Sequence, residues 1–132
     1  MYKAILEELV TLCAGLSLYS TITVGSLPPD TSISMFLGPG TEETTFLDKG
    51  AIYDVSVVIN AKHPDQVECI SALSLIHDTL AKRKEYPEKA TYQIIDIRTS
   101  STPNFIGQEA NGQYLYGSIV EVKIFSKGVE NI

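Results

Sequence analysis

The chain has 132 residues, of which 44% are hydrophobic and 20% are charged, and its formal net charge is −6 at pH 7. This composition fits one domain with a hydrophobic core, spanning residues 1–132, and argues against a disordered chain. The negative charge argues against a nucleic-acid groove, because phosphate binding requires clustered Lys and Arg. The two cysteines, Cys13 and Cys69, lack a metal-type spacing and are expected to be buried, reduced thiols.

An amphipathic helix is predicted at the start of the chain. Its apolar residues recur at i, i+3 and i+4 spacing, namely Tyr2, Ile5, Leu6, Leu9, Leu12, Cys13 and Leu16. Gly15 is expected to end this helix. Residues 9–29 carry no charge, yet Gly15, Gly25 and several Ser and Thr residues interrupt them, so we expect no membrane segment.

Strands are predicted next along the chain. Residues 17–24 alternate and are rich in strand-forming residues, and residues 32–37 form a shorter candidate that Gly38-Pro39-Gly40 ends. The acidic and Thr-rich residues 41–45 predict a solvated loop. Residues 51–60 give the strongest strand pattern, because apolar side chains fill one face and also occur on the other.

A second helix is predicted from Asp65 onwards. The sequence Asp65-Gln66-Val67-Glu68 has the form of a capping box with Asp as the N-cap. The apolar stripe that follows, extending towards Lys84, consists of Val67, Ile70, Leu73, Ile76 and Leu80. The basic group Lys82-Arg83-Lys84 lies at the helix end, where cations favour the negative end of the helix dipole, and a phosphate site is the less favoured interpretation.

A long β-hairpin is predicted over residues 101–125, after a further strand over residues 91–98. Asn111-Gly112 is expected to form its corner as a type I′ turn, because this pair readily takes positive φ angles. The elements together predict an α+β fold, with a mainly antiparallel sheet of about five strands and two helices packed on one face.

Catalytic and metal motifs are absent from the sequence. Cys69 and His77 are about 80° apart on a helix, and His63 precedes that helix, so the three do not form a metal-binding pattern. No serine lies in a Gly-x-Ser-x-Gly elbow, and Gly38-Pro39-Gly40 lacks the Gly-Lys-Ser/Thr of a phosphate loop. We therefore expect no enzymatic activity, no cofactor and no metal.

The chain resembles the phage tail terminator, or minor capsid, family over slightly more than half of its length. The motifs that carry the resemblance are Tyr53-Asp-Val-Ser-Val-Val-Ile-Asn before the long helix, Tyr92-Gln-Ile-Ile-Asp-Ile after it, Ser101-Thr-Pro-Asn-Phe-Ile-Gly107, the polar turn Glu109-Ala-Asn-Gly112 and the final long strand. The N-terminal helix adds a weak match.

The resemblance implies a non-enzymatic structural protein of the virion, assembled in the cytoplasm of a bacterial host. Six copies would form a ring that caps the tail tube, ends its polymerisation and contacts the head connector or stopper protein. The implied partners are therefore the chain itself, the tail tube protein and the connector. No sequence-specific nucleic-acid binding and no membrane contact are implied, and an acidic ring would let DNA pass without adhering.

Two segments are candidate interfaces. Glycines bracket residues 38–50, which we expect to become ordered against a partner, and the hairpin offers a second surface. The candidate residues are Glu42, Glu43, Phe46, Leu47, Pro103, Phe105, Asn111 and Gly112. Phe46 and Leu47 have an alternative role as anchors to the core of the same chain. The alternative functions are a small-molecule-binding α+β domain of a bacterial regulatory or housekeeping protein and, after it, a small enzyme.

Overall fold

The computed structural model describes residues 2–39, 42–45 and 51–126. In chain order its elements are α1 (Tyr2–Leu12), β1 (Ile22–Val24), β2 (Ser32–Leu37), β3 (Glu42–Thr45), β4 (Ala51–His63), α2 (Gln66–Ala81), β5 (Tyr92–Gln108) and β6 (Tyr114–Ser126). The predicted Phe46 and Leu47 interface residues lie outside the described ranges.

The sheet has the strand order β1-β2-β4-β6-β5, with β3 beside β4. β1 and β2 pair in parallel, and all the other named pairs are antiparallel. β4 is the central strand: all 13 of its residues pair with β6 on one side, and β2 and β3 share its other side. The predicted α+β fold with a mainly antiparallel sheet is confirmed.

The hydrophobic core lies between one face of this sheet and the two helices. Alternate residues of β4, including Val55, Val57 and Ile59, are fully buried because successive side chains of a strand point to opposite faces. The helices cover them with the fully buried side chains Ile5 and Leu9 from α1 and Leu73, Ile76 and Leu80 from α2. Both helices therefore pack on the same face, as predicted.

The start of α2 follows the prediction only in part. The Asp65 carboxylate accepts a hydrogen bond from the Val67 N–H at 3.0 Å, which is the predicted N-cap. The N–H of Asp65 donates to Nδ1 of His63 at 2.9 Å, so His63 takes the place that the capping box assigns to Glu68.

The buried stripe of α2 also differs from the predicted one. Val67 is 63% exposed and Ile70 is 41% exposed, whereas Cys69 is buried. The buried face of α2 is instead the one that carries Cys69, Ala72, Leu73, Ile76, His77 and Leu80. It also ends at Ala81 rather than near Lys84, and the Lys82 N–H bonds to the Asp78 carbonyl oxygen.

Two predictions for the first half of the chain were wrong, one of a strand and one of a loop. The strand expected over residues 17–24 is limited to β1, because only Ile22–Val24 has a neighbouring strand to pair with. The loop expected over residues 41–45 contains β3, whose backbone pairs with residues 51–54 where β2 has already ended. In both cases the available length of a partner strand determines the structure.

The hairpin is longer than predicted. Residues 91–98 and the first arm of the predicted hairpin form one strand, β5, of 17 residues. β5 keeps its pairing with β6 through register shifts, one of which spans Ser101 to Asn104 and contains Pro103. Proline is tolerated in this position because β5 is an edge strand with a local irregularity.

The turn of the hairpin is not the type I′ corner that Asn111-Gly112 predicts. The Gly112 N–H donates to the Glu109 carbonyl at 2.9 Å, and the Glu109 N–H donates to the Gln113 carbonyl at 2.8 Å. Ala110 and Asn111 are therefore the central residues of the turn, and Gly112 follows them with φ +87°. This pattern is a three-residue loop in which the glycine supplies the positive φ.

Candidate interaction surface

The end of β5 near the hairpin turn presents apolar side chains to solvent. Phe105 is 54% exposed and Ile106 is 53% exposed, and no described strand other than β6 pairs with β5. β5 has a register shift between Phe105 and Gly107, and the contacts of the two side chains place them on opposite faces of the sheet. The ring of Phe105 meets that of Tyr116 edge to face, with centroids 5.6 Å apart, on the face that carries the helices.

Ile106 lies on the face of the sheet opposite the helices, over Gly117 of β6. A Cβ at Gly117 would stand 2.6 Å from Cδ1 of Ile106 and 2.8 Å from Oδ1 of Asn60. The absence of a side chain at Gly117 therefore lets Ile106 lie directly on the sheet. Phe105 is thus the exposed apolar residue near the end of β5 on the helix side, with its ring in contact with Tyr116.

The hairpin turn is fastened to the segment before β2. The Asn111 side-chain amide donates to the Pro29 carbonyl at 3.1 Å. Glu109 forms an ion pair with Lys62 at 2.9 Å, and Nζ of Lys62 also donates to the Pro28 carbonyl at 3.2 Å. The candidate interface residue Asn111 therefore uses its amide within the chain, and the turn has a fixed position.

The opposite margin of the sheet contains a cavity of about 460 Å³ between α1 and β1. We call it the α1–β1 cavity; its lining includes Val10, Cys13, Ala14, Leu16, Leu18 and Ile22, together with Ser20 and Thr21. None of these side chains carries a formal charge. Burial raises the pKa of the Cys13 thiol to about 11, with a smaller opposing effect of Arg83, so this wall is neutral too at physiological pH.

Phe105 and the α1–β1 cavity lie at the two ends of one row across the sheet. The strand register places Ile22 beside Ile33, Ile33 beside Ala61, Ala61 beside Tyr116 and Tyr116 beside Phe105. Four strand spacings separate the ends, which is about 19 Å. Phe105 and Ile22 therefore occupy the same level and the same face at opposite edges.

The other predicted interface residues are placed as follows. Glu42 and Glu43 belong to β3, with backbone partners Asp54 and Tyr53 in β4. Pro103 is half-buried within the irregular part of β5. The sequence did not reveal the α1–β1 cavity or the buried Lys62. Their only sequence signals were an uncharged stretch and an isolated lysine in a strand pattern.

The side chains considered as metal ligands have separate structural roles. His63 caps α2, and the Cys69 thiol lies 3.7 Å from the carbonyl oxygens of Ala61 and Tyr114. Nδ1 of His77 lies 2.8 Å from the Thr99 hydroxyl, and burial lowers the pKa of His77. Within the described residues no three His, Cys, Asp or Glu side chains gather into a metal-binding group, and no helix is long and apolar enough to cross a bilayer.

Comparison with known proteins yields a likeness of fold. No protein-family model matches the chain, and no curated protein matches it. A chain in the solved structure described as "Virion of native gene transfer agent (GTA) particle" is similar over 89% of this chain and 84% of that chain, with a TM-score of 0.57 and 13% sequence identity. At that identity the comparison shows that the two chains share a fold.

Proposed function

We propose that this protein is a structural component of a phage-related virion, which caps the tail tube as a ring and joins the tail to the head. The observation that carries the proposal is the likeness of nearly the whole chain to a chain of a gene transfer agent virion particle. Because this likeness is one of fold, the tail-terminator role within the virion rests on the resemblance of the strand, helix and hairpin motifs.

The surface of the described chain supports assembly. Among the described residues, the outer side of β5 pairs with no other strand apart from the single bridge between Gln93 and Glu88, and it carries exposed apolar residues near the hairpin turn. Such an edge is a ready site for association. A ring requires two different patches on each copy, and the exposed Phe105 and the α1–β1 cavity lie on opposite edges. The net charge of −6 suits a channel for DNA, because like charges repel phosphate.

We further propose a ring of six copies, with the tail tube protein and the head connector or stopper as its other partners, no enzymatic role, and assembly in the cytoplasm of the bacterial host. The test is deletion of the gene in a strain that produces the particle. The expected result is tail tubes of uncontrolled length and heads without tails in electron micrographs. Complementation with the wild-type gene, and with Val67→Ala as a surface control, should restore normal particles. Unchanged tail length and normal joining would refute the proposal.

A second candidate function has one observation in its favour. The α1–β1 cavity has a volume within the range of small-molecule sites, which run from about 300 to 1,000 Å³ and are mostly apolar. A small-molecule-binding domain would show a rise in melting temperature with neutral, apolar compounds. Ala14→Trp, which introduces an indole at the cavity wall, would abolish that rise.

A further inference from the structure

The structure carries an exposed aromatic side chain, Phe105, and the apolar α1–β1 cavity at opposite edges of the same sheet. We infer that the Phe105 side chain of one copy inserts into the α1–β1 cavity of the next copy, so that this pair forms the repeated contact of the assembly. The inference rests on the proposed function, in which copies of the chain assemble with one another.

The chemistry of the two surfaces matches. Phe105 is 54% exposed, and an aromatic side chain gains most from burial in a water-free apolar site. The side chains that line the cavity carry no formal charge, which favours an apolar occupant over a charged one. The volume of about 460 Å³ accommodates one aromatic ring with atoms of the strand that bears it. A phenylalanine of a second copy therefore satisfies both surfaces.

The geometry of the row favours a head-to-tail contact. Ile22 in the cavity wall and Phe105 belong to one cross-strand row and face the same side of the sheet. A neighbouring copy placed along that row brings its Phe105 beside the cavity, with its β5 edge next to β1. Two different patches meet in such a contact, which is heterologous and gives a closed ring when the rotation between copies closes.

Mixing two variants tests this contact. Phe105→Ala removes the aromatic side chain but keeps the cavity, and Ala14→Trp fills the cavity but keeps that side chain; Ala14 is exposed at the cavity wall. Each variant alone should self-associate about tenfold or more weakly than the wild type in sedimentation velocity. Their equimolar mixture retains one intact pair of surfaces and should form a species of twice the 14.4 kDa monomer mass. Val67→Ala should behave as wild type.

A disulfide cross-link gives a second measurement for the case in which a variant is destabilised or the free wild type associates weakly. Chains with Ala14→Cys and chains with Phe105→Cys are mixed under mild oxidation, at a high concentration that offsets the weaker association of a chain without Phe105. A mixed disulfide above the control shows that residue 105 of one copy reaches the cavity wall of another, because a disulfide requires Cα atoms within about 7 Å. Buried Cys13 and Cys69 are present in every chain and provide the background. Val67→Cys replaces Phe105→Cys in the control mixture.

Different outcomes test the Phe105 contact and the proposed function. Wild-type assembly by both single variants, or a mixture of the two folded variants that forms no more dimer than either variant alone, would overturn the Phe105 contact while leaving a ring possible through other surfaces. Ligand-induced stabilisation that Ala14→Trp abolishes, with wild-type assembly retained, would assign the cavity to a small molecule instead. Failure of the proposed function is seen separately, as normal tails after gene deletion.

Discussion

The ion pair between Lys62 and Glu109 gives the sharpest test of how the hairpin turn is held. The Lys62 side chain is 6% exposed, whereas that of Glu109 is 40% exposed. Glu109→Ala leaves a buried ammonium group that, among the described residues, keeps the Pro28 carbonyl as its acceptor. Removal of one partner from a fully buried pair costs about 3–5 kcal/mol, and the partial exposure of Glu109 reduces this to about 1.5–3 kcal/mol.

Lys62→Met perturbs the same contact in a different way. The buried charge disappears, the Met side chain fills much of the space of the lysine stem, and the carboxylate of Glu109 remains partly hydrated. The main loss is the donor to the Pro28 carbonyl, which costs about 1 kcal/mol. Glu109→Ala should therefore destabilise the protein more than Lys62→Met does. The double variant should be close to Lys62→Met alone, because Glu109 then has no cation to neutralise.

The free energies of unfolding are measured by urea denaturation, with equal m-values required for all variants. Glu121→Ala is the matched control, since its partner Arg98 has a side chain that is 67% exposed and water can replace the carboxylate. The order of destabilisation should be Glu109→Ala first, Lys62→Met second and Glu121→Ala last. If Glu109→Ala is no more destabilising than Glu121→Ala, the burial of the Lys62 ammonium group does not account for the contribution of this ion pair to stability.

Three further predictions concern single residues. Gly112→Val should lower the free energy of unfolding by about 1–3 kcal/mol, because a β-branched residue is strained at φ +87°; an unchanged urea midpoint would contradict the assigned turn. Gly117→Ala should destabilise the chain by displacing Ile106, and combining it with Ile106→Ala should recover part of the loss in the same assay. Burial lowers the pKa of His77 below its ordinary value of 6.5, so the unfolded chain binds a proton at this residue more readily than the folded chain does. The contribution of neutral His77 to the free energy of unfolding is therefore complete above about pH 6.5 and is lost as the pH falls through the lowered pKa. His77→Gln should therefore flatten the decline of unfolding free energy between pH 7 and 5, and an unchanged slope would contradict this.

Local patterns in the sequence correctly predicted the elements that can be identified from residues close together in the chain. The alternation in β4, the i, i+3, i+4 stripe of α1 and the N-cap at Asp65 each contain enough information within a few residues. The bounds predicted for β2, residues 32–37, are those in the structure. These elements, taken together, were sufficient for the α+β fold.

Elements that depend on a distant partner were predicted less well. Residues 42–45 look like a loop because they are acidic and Thr-rich, yet they form β3 where β4 offers unpaired backbone groups. Residues 17–21 alternate like a strand, but only β1 reaches a neighbour. Asn111-Gly112 is compatible with more than one turn, and the irregular register of β5 against β6 decides which forms.

The candidate contact could be predicted on one side only. Phe105 was expected at an interface because it lies in the hairpin, and the structure leaves it exposed. Its relation to Ile22 depends on the strand order β1-β2-β4-β6-β5, in which residues far apart in sequence share one row. The hydrophobic periodicity of the sequence does not indicate this strand order. Because the register fixes the row, a substitution that shifts β5 against β6 would move Phe105 to another level and separate it from the cavity of the next copy. The irregular pairing between Thr99 and Gly107 therefore sets the position of Phe105, and with it the level of the proposed contact.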